Sequence, residues 1–166
     1  MTPTRRLPMN WTRNSEKPPD AAPAAIRAKA LELLARREHS RLELRQKLLQ
    51  RGFPIERIEP VLDRLIEERL LDEGRYAELY ACARADKGYG PLRIARELRE
   101  RGVPDDAVAA AVDDLSDQWF SKLRELHRKR FKSSIPADAA GRMQQTRVLR
   151  QHGFTLEQIK QLFEAV

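Results

Sequence analysis

Residues His39 to Leu65 read HSRLELRQKLLQRGFPIERIEPVLDRL, and the same pattern returns twice in altered form. Tyr89 to Leu115 reads YGPLRIARELRERGVPDDAVAAAVDDL, and Ala140 to Val166 reads AGRMQQTRVLRQHGFTLEQIKQLFEAV. The three stretches align without a gap over 27 residues, at offsets of 50 and 51. Similarity at a fixed period of this size marks a tandem array, in which small units bury their apolar faces against one another.

The aligned columns have a physical reading. Leu42, Leu92 and Met143 open an apolar stripe, and Leu48, Leu98 and Leu149 continue it six residues on. Gly52, Gly102 and Gly153 follow, where a helix stops in the left-handed region that glycine adopts freely. Phe53, Val103 and Phe154 come next, as the apolar contact that accompanies such a stop. A second helix then shows i, i+4, i+7 spacing at Ile58/Val108/Ile159, Leu62/Val112/Phe163 and Leu65/Leu115/Val166. Ser40 with Glu43 forms an S-x-x-E capping box, and Gly90 and Gly141 stand in its column, Gly90 followed by Pro91. Pro60 is a misfit, expected to kink its helix or delay its start.

Each helix pair is led by a third helix: Ala25–Arg37, Arg75–Asp86 and Ser116–Lys132. Their stripes are Ile26, Ala30, Leu33 and Leu34; Tyr76, Leu79, Tyr80 and Ala83; Trp119, Leu123 and Leu126. The expected fold is therefore all-α: three tandem three-helix repeats stacked into an elongated, curved array. The boundaries are 24–66, 67–115 and 116–166. Residues 1–23 hold five prolines and no apolar period, which predicts a disordered N-terminal tail. Trp11 is its one aromatic side chain.

Composition narrows the function. Lys+Arg 32 against Asp+Glu 25 gives a net charge of +7, which favours an anionic partner, nucleic acid or an acidic protein face. Cys82 is the one cysteine, so no internal disulfide forms and a reducing compartment is expected. No apolar run approaches a membrane span, and no apolar core follows Arg5 and Arg6, so a cytoplasmic protein is expected.

No constellation points to catalysis, a cofactor or a metal. The stretch Lys87-Gly88-Tyr89-Gly90-Pro91 lacks the Gly-Lys-Ser/Thr of a phosphate-binding loop and occupies the slot of a helix start. His39, His127 and His152 have no second ligand at metal spacing. The acidic pairs, such as Asp105 and Asp106, fit helix first turns and solvated faces. Basic residues are the stronger signal. They run through Ser121–Lys132, SKLRELHRKRFK, and recur near the second helix of every unit, so that stacking would align them as a stripe.

The run LIEERLLDEGRYAELYACARADKGYGPLRIARELRERGV resembles the RecX family of recombination regulators. The matching pieces are Leu70-Leu71-Asp72 before Arg75-Tyr76-Ala77, then Ile94 and Glu97-Leu98 leading to Gly102-Val103. ALELLARREHSRLELRQKL resembles the first unit of the family, and the likeness extends in order over residues 24–166. Glu73 departs from the aspartate often found there but keeps the charge.

The resemblance implies a non-enzymatic regulatory protein that needs no cofactor. It implies binding to the RecA recombinase filament on single-stranded DNA, inhibition of its ATPase and strand exchange, and a part in DNA repair and the SOS response. Weak direct DNA binding and a monomeric state are also expected. Candidate partner or DNA contacts are Arg84, Lys87, Tyr89, Arg93 and Arg96 in the central unit. Arg128, Lys129, Arg130 and Arg147 in the third unit are the second set. The alternative is a stand-alone helix-turn-helix-like DNA-binding protein, with Arg142, Gln144 and Gln145 as its base readers.

Overall fold

The computed structural model of the chain describes residues 22–165. The tail expected over residues 1–23, with Trp11, falls outside the described residues up to residue 21. Among the described residues the elements are all helices: α1 (Pro23–Leu34), α2 (Arg41–Leu49), α3 (Ile55–Glu67), α4 (Glu73–Asp86), α5 (Pro91–Glu100), α6 (Asp105–Asp113), α7 (Trp119–Phe131), α8 (Ala139–Gln151) and α9 (Leu156–Glu164).

The helix stops are those the repeat implies. Gly52, Gly102 and Gly153 have φ of 84°, 76° and 97°. The N–H groups of Phe53, Val103 and Phe154 reach back to the carbonyls of Leu48, Leu98 and Leu149, closing the helix ends, and all three side chains are buried. The helix starts are more varied. Ser40 Oγ accepts the Glu43 N–H, but the Glu43 carboxylate turns to Arg37 and leaves the capping box half made. The complete box sits at Thr155 and Gln158. In the third unit Asp138 takes over as cap, so α8 begins two residues before Gly141. Pro60 neither delays nor ends α3, which starts at Ile55 and runs through it.

Two apolar columns differ from the sequence reading. Leu92 and Met143 are 58% and 64% exposed, and the burial belongs to Leu44 and Ile94 two residues further on. In α4 the buried face is Tyr76, Ala77, Ala81 and Ala85, whereas Leu79 is 58% exposed. Small side chains on that face let α4 lie close against α5 and α6. A search for large apolar residues therefore finds the wrong stripe.

The units are unequal. The first has its own core, built from Ile26, Leu44, Leu48, Ile58, Leu62 and Leu65, all fully buried. The second and third share one continuous core from Tyr76 to Leu162, including Ile94, Leu98, Leu123, Leu149 and Phe154. Contact between α4 and α7 joins them.

Candidate interface at the seams between units

Each seam brings the start of one unit's second helix against the glycine turn of the next unit. At the first seam, a Cβ added at Gly102 would lie 2.9 Å from Leu42 Cβ. At the second, one added at Gly153 would lie 2.6 Å from the Arg93 nitrogen. The second seam is also clasped by main chain. Gly90 N–H donates to the His152 carbonyl at 2.8 Å, and Leu92 N–H to the Gly153 carbonyl at 3.0 Å. The His152 ring contacts the Gly88 carbonyl through Nδ1 at 3.1 Å. The first seam uses side chains instead. Glu73 Oε1 accepts the Arg41 N–H at 2.9 Å, and Arg75 pairs with Glu38 at 2.6 Å.

A cleft opens beside each seam, lined by equivalent columns that differ in charge. The first, of about 580 Å³, is mixed: it presents Glu43, Gln46 and Glu100 together with Arg37 and Arg101, beside Tyr76, Leu79 and Tyr80. The second, of about 510 Å³, presents Leu92, Arg93, Arg96 and Gln151 with Arg150. The columns that carry Glu43 and Gln46 in the first unit carry Arg93 and Arg96 in the second.

Several central-unit candidates are engaged within the fold. Glu97 is the hub: it accepts from Arg84 Nε at 2.7 Å, Arg93 Nε at 3.0 Å and the Tyr80 hydroxyl at 2.8 Å. Burial alone would raise the Glu97 carboxyl, but the hydrogen bonds from Arg84, Arg93 and Tyr80 outweigh it and hold the group at about 2. Burial, with the bond to Glu97, pushes Tyr80 up to about 12. Tyr89 is half-buried. The guanidinium carbons of Arg84 and Arg93 lie 3.8 and 4.4 Å from its ring centroid, and the His152 ring stacks on it at 5.7 Å. Its packing is thus internal. Arg96 stays 68% exposed beside a loose 3.7 Å pair with Glu100. Lys87 is exposed, next to a small cleft it shares with Lys122 and Lys129.

The third unit differs in charge. The second unit carries eight basic and twelve acidic residues, the third ten and five. In the first unit Arg36, Arg37, Arg41, Arg45 and Lys47 all face carboxylates. Among the described residues, Arg128, Arg130, Arg147 and Arg150 make no ion pair, whereas Lys129 pairs with Glu125 at 2.6 Å. Arg130 approaches His152 Nε2 at 3.5 Å. The basic stripe is therefore largely neutralised by acids in the first two units and largely free in the third. Arg150 belongs to both the second cleft and the α8 face.

The base-reading set of the helix-turn-helix alternative is incomplete. Gln145 is 6% exposed, held by His127 Nε2 at 3.0 Å and donating to the Ser134 carbonyl at 2.8 Å. Among the described residues no three His, Cys, Asp or Glu side chains gather at metal-binding spacing, and no helix is long and apolar enough to cross a membrane.

Comparison with known proteins matches two family models. Residues 27–65 fit "RecX, first three-helix domain", and residues 72–112 fit "RecX, second three-helix domain". "Regulatory protein RecX" of Halorhodospira halophila is 45% identical over 140 residues, covering 84% of this chain and 87% of that protein. The protein of the same name from Pseudomonas syringae pv. tomato is 47% identical, covering 84% and 90%. The crystal structure of RecX from Lactobacillus salivarius superposes with a TM-score of 0.75 at 20% identity, over 87% of this chain and 97% of that one, which establishes likeness of fold.

Proposed function

The chain belongs to the RecX family of regulatory proteins, and on that premise we propose that it binds the RecA recombinase filament on single-stranded DNA and lowers its ATP hydrolysis and strand exchange. It acts as a ligand of the filament, without catalysis of its own, in the cytoplasm. The observation that carries this reading is the basic second seam, Arg93, Arg96 and Arg150, which Arg150 extends to the free Arg147 and His152 to the free Arg130. Such a surface suits an acidic protein face or exposed phosphates. A row of modest contacts distributes binding over the array instead of concentrating it in one pocket.

In this reading the central unit divides its labour. Arg84 and Tyr89 shape the surface from within, and Arg96 presents its cation outward. The third unit supplies most of the field, which would also give weak, salt-dependent attachment to DNA alone. The test is a partition experiment. Labelled protein is offered recombinase filaments on single-stranded DNA together with an excess of naked strand of the same length. Retention on the filaments supports the proposal; transfer to the naked strand would favour direct DNA binding as the main activity.

A further inference from the structure

The basic cleft of the second seam does not end at Arg150. Arg150 and Gln151 also line a neighbouring cleft of about 410 Å³, with Met143, Thr146 and Arg147, so the two form one groove along α5 and α8. The same pair of side chains is presented twice in it. Leu92 and Arg96 stand about one helical turn apart on α5, and Met143 and Arg147 repeat the pair at the equivalent positions of α8. The apolar members are 58% and 64% exposed. Main-chain bonds from Gly90 to His152 and from Leu92 to Gly153 tie the two helix ends together, so the pairs are held in place before a partner arrives. The neighbouring carboxylates leave most of the charge uncompensated. Glu97 is turned inward to Arg84, Arg93 and Tyr80, and Glu100 meets Arg96 only at 3.7 Å.

Arginines in a groove suit carboxylates and phosphates alike, since both accept the paired N–H donors of a guanidinium. The rest of the lining separates the two. Grooves that hold single strands without sequence preference add aromatic rings on which the bases stack. No side chain lining this groove carries a ring, and Tyr89, close by in the seam, is already engaged by Arg84, Arg93 and His152. In place of rings stand Leu92 and Met143, which gain by leaving water against an apolar surface and gain nothing beside a phosphate. We infer that the groove takes an acidic protein segment, one whose carboxylates are interspersed with apolar side chains, in preference to the nucleic-acid strand. The inference rests on the filament reading proposed above and names the component of the filament that this groove meets. The carboxylates pair with Arg96, Arg147 and Arg150, and the apolar side chains seat on Leu92 and Met143.

The test is photo-crosslinking in the full chain. The photoreactive residue p-benzoylphenylalanine is placed at Leu92 in one variant and at Met143 in another, each checked for unchanged helical content. Each is bound to recombinase filaments on single-stranded DNA and irradiated. The adduct should form with the recombinase, on a peptide that carries Asp or Glu beside the labelled residue. Adducts with the strand, or none at either position in chains that are retained, would overturn the inference. As a second measurement, the double variant Leu92→Ser, Met143→Ser should lower affinity for filaments about tenfold, through lost apolar contact, and leave affinity for naked single strand unchanged. Equal losses on both, or no loss on filaments, would likewise overturn it. Failure of the unaltered chain to stay on filaments would defeat the proposed function and this inference with it. Retention with adducts on the strand would defeat the groove assignment alone.

Discussion

Gly90 and Gly153 meet backbone to backbone across the second seam: a Cβ added at Gly90 would stand 2.6 Å from the carbonyl carbon and oxygen of Gly153. Ser40 holds the equivalent place in the first unit, where its hydroxyl caps α2 and no such main-chain clasp forms. One column thus sets how closely neighbouring units approach. Gly90→Ala should destabilise the fold by roughly 1–3 kcal/mol, the range for overpacking a tight contact. Ser40→Gly should cost only a few tenths of a kcal/mol, because glycine is itself a tolerated helix cap (about that much is lost in such exchanges). Urea unfolding of the two variants checks the asymmetry, and equal losses would contradict it.

The Glu97 hub makes a pH prediction. Its folded-state value, about 2, lies below the ordinary 4.5. Its stabilisation is therefore full above about pH 4.5 and fades as pH falls towards 2. Glu97→Gln should cost on the order of 2–3 kcal/mol at neutral pH, since a tenfold change in proton affinity corresponds to about 1.4 kcal/mol. The variant should also flatten the acid limb of stability between those two pH values. Unfolding titrations at several pH values give both numbers.

Histidine titration acts in a higher window. Burial lowers His152 from its ordinary 6.5, against the raising effect of its bond to the Gly88 carbonyl, and Arg130 and Arg93 lower it further. The unfolded chain takes up this proton more readily, so stability is full above about 6.5 and falls as pH drops towards the folded value. Burial moves His39 in the same direction. His152→Gln should remove part of the slope just below pH 6.5 and leave the His39 part. An unchanged slope would contradict a neutral His152 in the seam.

Charge reversal separates surface arginines from scaffold arginines. Arg96→Glu and Arg147→Glu fall on exposed side chains and should leave helical content and thermal unfolding near those of the parent. They should weaken inhibition of the recombinase, with the salt slope of any direct DNA binding reduced by about one for each phosphate that is no longer neutralised. Arg93→Glu should do both kinds of damage, because Arg93 serves Glu97, Tyr89 and the Gln151 carbonyl. If all three variants unfold alike, the division between outward and inward arginines is wrong.

The repeat was legible because glycine stops and branched apolar columns depend on local geometry that a sequence displays. The left-handed turns at Gly52, Gly102 and Gly153 are of this kind. The stripe of α4 was not, because the residues that bury best there are alanines chosen by close helix approach, and Leu79 turns towards the first cleft. The candidate arginines were visible as a class. Their roles were not, since spacing does not show which cations one carboxylate gathers: Glu97 takes Arg84 from another helix, 13 residues away, as well as Arg93 on its own. Tyr89 is the clearest case: its ring is engaged by Arg84, Arg93 and His152, and the last of these comes from another unit.

The central claim is action on the assembled filament. The most direct measurement is DNA-dependent ATP hydrolysis by the cognate recombinase, with this protein added below one copy per recombinase subunit. The account predicts loss of hydrolysis at these substoichiometric amounts, at DNA concentrations where most of the strand carries recombinase. Hydrolysis that persists until the added protein saturates the DNA would contradict it and reduce the activity to competition for nucleic acid.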